Sequence, residues 1–341
     1  MNMSQLNALV AIADQGSFSG AADALATVQS NVSTHLKKLE RELGTVLVDR
    51  TNGQLTPAGE LVAARARRAR AELDAAVSDV QALQHDVAGT VRIGIIGTTA
   101  RWLVPNLLDV VPGRYPRLRL VFVESTTTAL ESQVMAGHVD LAILNLPHAS
   151  SELLLTPLFE EELVLVTSLD HRLANAGEIS VRELDGMPIL VPQRGTAFRD
   201  DLDEAVAPLG VTLVPRAEVD GTRLIASLTF EGYGPAILPS TALPRYLRDQ
   251  WATVRIREVP CRLVGVARHV RSVPSAPTRA VLDLLTEIVL DPALTPEGLR
   301  PVSPEHRPDQ PDGSDRAGPL NADPPPAPRY PRPAPATSAT A

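Results

Sequence analysis

The stretch Gln29-Ser30-Asn31-Val32-Ser33-Thr34-His35-Leu36-Lys37-Lys38-Leu39-Glu40-Arg41-Glu42-Leu43-Gly44 governs the reading of this chain. Val32, Leu36, Leu39 and Leu43 recur at helical spacing and form one apolar stripe, and Gly44 ends the helix. Gln29, Ser30, Asn31, Ser33, Thr34 and Lys37 are left pointing mainly elsewhere. Glutamine and asparagine can grip adenine in a bidentate fashion, while serine, threonine and lysine commonly hold phosphate oxygens. On an isolated helix such a set is ordinarily a solvated polar face. The flanking sequence argues for more.

Upstream, Leu6, Leu9, Val10 and Ala13 repeat at helical spacing after Ser4, which can act as N-cap, and Gly16-Ser17 breaks the pattern. Ser19 can cap a second short helix over residues 20–25, so three short helices follow one another as a helix-turn-helix unit would. Downstream, residues 46–48 and 54–55 flank Asn52-Gly53, a dipeptide suited to a tight hairpin turn, which predicts a small two-stranded wing. Thr56-Pro57 pairs an N-cap with a proline at the first helical position and starts a new helix. Along it Val62, Ala66, Ala69, Leu73, Ala76, Val80, Leu83 and Val87 alternate steps of four and three, a seam that predicts a coiled-coil partner helix.

The whole chain, 341 residues at a formal charge of −8, is acidic, which taken alone argues against a nucleic-acid partner. The distribution reverses that reading. Between Thr27 and Arg70 eight cations stand against four acids, a local +4 that leaves −12 for the remainder, and Lys37 and Lys38 are the only two lysines in the chain. No apolar run approaches the roughly 18 residues of a membrane helix. The first cation is Lys37, so a secretory signal's basic start is missing, and the single Cys261 cannot form an internal disulfide. Both features point to the cytoplasm.

The run Ser17-Phe18-Ser19, Ala21-Ala22, Leu25, Gln29 to Ser33, Leu39-Glu40, Leu43-Gly44, Leu47, Arg50 and Leu55-Thr56-Pro57-Ala58-Gly59 closely resembles the winged helix-turn-helix of LysR-type transcriptional regulators. The resemblance covers about the first 60 residues without gaps. It implies a linker helix, a dimer that often pairs into a tetramer, and an effector domain like a type 2 periplasmic binding protein. Residue by residue, it makes Gln29, Ser30, Asn31, Ser33, Thr34 and Lys37 the groove-facing set, with Lys38, Arg50 and the wing on the DNA backbone. Two positions depart from the family pattern. Val28 stands where threonine or serine is usual, passing the expected helix cap to Thr27, and Val48 replaces a phenylalanine.

After Gly89, β-rich runs at 91–96, 118–124, 139–144, 163–166, 188–191, 236–238 and 263–267 alternate with helical stretches at 102–111, 129–136, 199–209 and 277–290. This alternation predicts α/β folding with largely parallel sheets. In such a unit a ligand sits between two lobes, held by strand ends and helix N-termini. The candidates are Thr98 and Thr99, Thr126 and Thr127, Asn145, Thr196, and Gly221 with Thr222, and the resemblance implies a small effector, frequently a carboxylate. Each threonine could equally be a helix cap. Arg101 and Arg194 could neutralise a carboxylate, although surface ion pairing is the plainer reading. Chain crossings near 161–163 and 264–268 should hinge the lobes.

Catalytic signatures are missing. The seven histidines lie ten or more residues apart, neither lysine follows a glycine as a phosphate loop requires, and Glu160-Glu161-Glu162 reads as a solvated acidic loop. No metal or cofactor is expected. The last 49 residues hold 13 of the 30 prolines and few large apolar side chains, which predicts a disordered tail. The expected architecture is an α/β multidomain chain: a winged helix-turn-helix at 1–58, a dimerising linker helix at 59–88, a two-lobed effector domain at 89–292 (lobe I about 89–162 and 268–292, lobe II about 163–267), and the tail at 293–341. The expected function is a cytoplasmic, sequence-specific DNA-binding regulator sensing a small anionic metabolite, with a partly palindromic operator, itself and RNA polymerase as partners. The alternatives are an enzyme on a binding-protein fold and a ligand-independent architectural DNA binder.

Overall fold

The computed structural model describes residues 1–84, 87–146, 150–244, 247 and 249–302. Helices α1 (Met3–Gln15), α2 (Phe18–Ala24) and α3 (Gln29–Leu43) enclose a small core in which Leu9, Ile12, Leu36, Leu39 and Leu47 are fully buried. The caps differ from expectation. Asn2, not Ser4, starts α1 through a reciprocal box with Gln5, and Ser17, not Ser19, caps α2 by accepting from Gly20 N at 3.1 Å. Leu43 is 41% exposed and so leaves the expected stripe. The wing reduces to a single antiparallel bridge, Val48 to Leu55, because Asp49 organises a longer loop than two residues. Its carboxylate accepts from Thr51 N at 2.8 Å and its carbonyl from Gly53 N at 2.8 Å, with Gly53 in the left-handed region.

The next helix, α4 (Pro57–Ala82), is capped by Thr56, whose hydroxyl accepts from Gly59 N at 3.1 Å and donates to Val46 O at 2.8 Å. It stops short of the expected seam. Leu83 is its C-cap, Val87 lies outside it, and residue 88 already begins a strand. At its start Ala66 is buried and Val62 is half-buried against the N-terminal core, so neither belongs to an open seam. Ala69, Leu73, Ala76 and Val80 are exposed along the remainder, joined by Val77. On its inner side Arg68 donates to Met135 O at 2.6 Å and Asp79 accepts from Ala276 N at 2.7 Å, which seats α4 on the first lobe.

The remaining elements are β1 (Ala88–Ile95), α5 (Gly97–Arg114), β2 (Arg117–Glu124), α6 (Thr127–Ala136), β3 (Leu141–Leu146), β4 (Leu153–Glu161), β5 (Leu163–Ser168), β6 (Glu178–Ser180), β7 (Pro188–Pro192), α7 (Ala197–Val206), β8 (Val214–Val219), α8 (Thr222–Phe230), β9 (Ala236–Pro239), β10 (Trp251–Arg257), β11 (Arg262–His269), α9 (Ala276–Leu290) and β12 (Leu299–Pro301). The described strands form two six-stranded sheets, ordered β12-β4-β11-β3-β1-β2 and β6-β10-β5-β9-β7-β8. Both are mixed rather than largely parallel. β1 runs parallel to β2 and β3, but β11 is antiparallel to β3 and β4, and β5 is antiparallel to β9 and β10. The reversals arise because the chain crosses between the sheets and comes back.

The first crossing is where expected, at Glu162 between β4 and β5. The second lies at residues 258–261, not 264–268, because all of β11 pairs within the first sheet. Residues 262–267 therefore belong to the first lobe. The tail boundary also moves. β12 pairs with β4, Leu299 is buried and Val302 N donates to Leu158 O at 2.9 Å, so 293–302 are ordered by apolar packing and strand pairing. The rest of the expected tail, 303–341, lies outside the described residues.

Gly59 shows how tightly α4 joins the N-terminal three-helix core: a Cβ there would lie 2.0 Å from Leu47 O and 2.9 Å from Leu47 C. Gly59→Ala should therefore cost about 1–3 kcal/mol or more in urea unfolding of the full chain, since backbone has to move. A loss below about 0.5 kcal/mol would contradict this packing.

Candidate functional site

The outer face of α3 carries the first candidate surface. Gln29, Ser30, Asn31, Thr34, Lys37, Lys38 and Arg50 are exposed and Ser33 is half-buried. Val28 is the N-cap and offers no side-chain acceptor. Thr27 does not take over the cap; its hydroxyl accepts from Asn31 Nδ2 at 3.0 Å instead, so the first-turn amides open outward with their positive end of the dipole. Thr34 donates to Ser30 O at 2.7 Å, and Arg50 is held at the wing by Glu40 at 3.2 Å. Glu40 also accepts from Leu47 N at 2.9 Å, tying the wing to α3. Lys37 and Lys38 make no ion pair among the described residues. Arg41 is exposed on the same face and belongs with this set.

The second candidate is a cleft of about 570 Å³ between the two sheets. Thr98, Thr126, Thr127, Asn145, Thr196, Gly221 and Thr222 all line it, although they come from widely separated parts of the chain. Thr99 does not. It sits inside the first turn of α5, fully buried, with its hydroxyl unpartnered. The starts of α5, α6, α7 and α8 all open on the cleft. Only α6 is capped by a side chain, Thr126 accepting from Ala129 N at 3.4 Å. Ile96 and Gly221 offer no cap, and the Thr196 hydroxyl donates to Gln193 O at 2.7 Å. Three uncapped helix N-termini around one cavity favour an anion.

Sequence reasoning missed the cleft floor. Arg262, 7% exposed, donates from Nε to Glu161 Oε2 at 2.8 Å, reaches Thr98 Oγ1 at 2.7 Å and lies 3.4 Å from Asn145 Oδ1. Glu161 is fully buried rather than part of a solvated acidic loop. Its other oxygen accepts from Thr241 N at 2.9 Å and the Thr241 hydroxyl at 2.6 Å. Glu162 faces the other way, toward Arg300 at 3.0 Å and Arg255 at 3.4 Å, and Glu160 is exposed. Ion pairs with Glu218 at 3.4 Å and Glu124 hold Arg194 and Arg223 at the rim, while Arg101 is outside the cleft. Strand β11 was legible, but nothing local marked its first residue as the partner of a glutamate 101 positions earlier.

Two family matches cover the chain. Residues 3–60 match the bacterial regulatory helix-turn-helix protein, lysR family, and residues 84–289 match the LysR substrate binding domain. A probable hydrogen peroxide-inducible genes activator from Streptomyces viridosporus is 35% identical over 247 residues, 71% of this chain and 78% of the relative. A full-length OxyR variant from Pseudomonas aeruginosa has a similar structure, with a TM-score of 0.71 at 25% identity over 86% of this chain and 96% of that one. Full-length CbnR, solved with its target DNA, shares the fold with a TM-score of 0.60 at 20% identity over 84% of this chain and 98% of that one.

Thr241→Val keeps the volume of the side chain but removes its hydroxyl from the buried Glu161. The expected cost is about 1.5–3 kcal/mol in urea unfolding of the full chain, as for a buried hydrogen bond to a charge. An unchanged midpoint would show that Thr241 carries no part of the floor.

Proposed function

The chain belongs to the LysR family, DNA-binding transcriptional regulators with an effector-binding domain rather than enzymes, and from that premise we propose how its own residues divide the work. Residues 1–58 read DNA. Gln29, Ser30, Asn31, Ser33, Thr34 and Lys37 enter the major groove, and Lys38, Arg50 and the wing hold phosphates on either side. The support is the outward face of α3, where a polar set at an uncapped helix start is followed two turns on by Lys37 and Lys38, which make no ion pair among the described residues. Arg41 joins the phosphate contacts.

The cleft holds a small anionic effector. Three uncapped helix N-termini, the threonines around them and Arg262 on the floor carry this reading. Because relatives of this chain are named as hydrogen peroxide-inducible activators, an oxidant is the competing stimulus. An intrachain disulfide is not available to it, since Cys261 is the sole cysteine. Cys261 lies exposed at the second crossing, outside the cleft, where partial desolvation and the neighbouring Glu160, Glu161 and Glu162 raise its thiol above the usual range and disfavour the reactive thiolate. We therefore assign the stimulus to a bound anion.

Two copies associate through the exposed stripe Ala69, Leu73, Ala76 and Val80 of α4, extended by Val77 and Leu83, with dimers pairing into tetramers. A two-fold assembly reads a partly palindromic operator. RNA polymerase is the downstream partner, and the protein acts in the cytoplasm, where its DNA is.

Footprinting across a salt series tests the DNA assignment. Gln29→Ala should lose about 1–3 kcal/mol on the operator and little on unrelated DNA. Lys37→Ala should weaken both alike and lower the salt slope by about 1. Sequence-blind loss in the glutamine variant would overturn its role. Leu73→Asp should yield monomers by sedimentation with loss of specific binding; an unchanged mass would remove α4 from the interface.

A further inference from the structure

Across the rim of the cleft runs a pair that the preceding assignments leave unused. Glu124 ends β2 in the first lobe, Arg223 is the second residue of α8 in the other, and their side chains are ion-paired. The pair lies against the first residue of α5. A Cβ at Gly97 would stand 2.6 Å from Arg223 Cδ, 2.8 Å from Arg223 Cγ and 2.6 Å from Glu124 Oε1. Gly97 is not in the left-handed region, so a Cβ there would act only by pushing these two half-exposed side chains aside. The α5 N-terminus beneath them has no side-chain cap. A cation resting on the positive end of a helix is unfavourable by itself, and an anion there is favourable. Glu124 supplies that anion.

The cations of the cleft are not equally exchangeable. Arg262 is locked to Glu161, which is fully buried and also tied to Thr241. Arg194, itself 74% exposed, pairs with Glu218 of its own lobe, a carboxylate that also lies 3.6 Å from Nη1 of the buried Arg199, so that pair does not span the rim. Arg223 and Glu124 are both about half exposed, at 52% and 43%, and solvent reaches each of them. An exposed pair is weak and gives up its partner at little cost, whereas breaking a buried one strands a charge.

We propose that Glu124 is an internal stand-in for the anionic group of the effector. Before an effector arrives, its carboxylate pairs with Arg223 beside the start of α5 and links the lobes at the rim. An incoming carboxylate, or another compact anion, takes over Arg223 and the α5 amides while Glu124 swings into solvent. Binding is then an exchange of one anion for another, so a neutral ligand that merely fits the cavity cannot displace it. This rests on the cleft being the effector site and adds how that site admits its ligand.

Sulfate at constant ionic strength is a suitable probe, read by the thermal midpoint of the full chain, with hydrogen exchange at Leu224 and Ile225 followed without sulfate. Both amides donate to Gly221 O, at 3.0 and 3.2 Å, and report the first turn of α8. Glu124→Gln should lower the half-saturating sulfate concentration about two- to fivefold, the worth of an exposed ion pair, and Glu124→Gln with Arg223→Gln should lose that gain. Glu124→Gln and Gly97→Ala, the latter displacing Arg223 with every charge kept, should both speed exchange in the absence of sulfate. Equal sulfate responses in the parent and Glu124→Gln, with unchanged exchange, overturn the stand-in and leave the cleft assignment standing. No sulfate response in any of these proteins overturns both.

Discussion

Glu161 and Arg262 form a buried pair at the junction of the two lobes, and the working parts of the effector region are arranged around it. Taking both charges out of water is costly, and only a full set of hydrogen bonds offsets the loss. Glu161 obtains its set from both sides of the molecule: Arg262 of β11 on one oxygen, and the backbone and hydroxyl of Thr241, just after β9, on the other. The same guanidinium then reaches Thr98 at the start of α5 and Asn145 at the end of β3, two residues that line the cleft. One carboxylate thereby joins the lobes, orients the arginine and places two ligand-facing side chains. The rim pair of Glu124 and Arg223 is its exposed counterpart, weak where the floor is strong.

The link from cleft to reading head is short. Helix α6 begins among the threonines of the cleft and ends against α4, where Met135 O accepts from Arg68 and a Cβ at Gly137 would lie 3.2 Å from Arg67 Cβ. Arg67 in turn holds Asp14 of α1 at 2.5 Å. His138 lies exposed beside this seam; partial desolvation, and then Arg67, lower its pKa, with Asp14 opposing. Packed and charged contacts thus connect α6, from its start at the cleft, to α4 and α1.

Much of this was legible because it is local. The stripe of α3, Thr56-Pro57 at the start of α4 and the β-rich runs each depend on a few neighbouring residues, and seven of the eight expected cleft residues line one cavity because strand ends and helix starts converge in an α/β sheet. The failures are non-local or concern choices among near-equivalents. Ser17 and Ser19 are both good caps, and only backbone placement selects Ser17. Val62 and Ala66 fit a coiled-coil seam by spacing, yet the wing core buries that end of the helix. Strand β10 alternates buried Ala252, Val254 and Ile256 with exposed residues, a period-two signal that was present and passed over. The burial of Glu161 had no such signal, since its partners lie 80 and 101 positions away.

A double-mutant cycle on Glu161 and Arg262 tests most directly whether this pair holds the cleft together. Glu161→Gln, Arg262→Gln and the double variant would be compared by urea unfolding of the full chain. Each single change should cost about 3–5 kcal/mol by stranding a buried charge, and the double change should cost clearly less than their sum. Strictly additive losses, or single variants as stable as the parent, would contradict it.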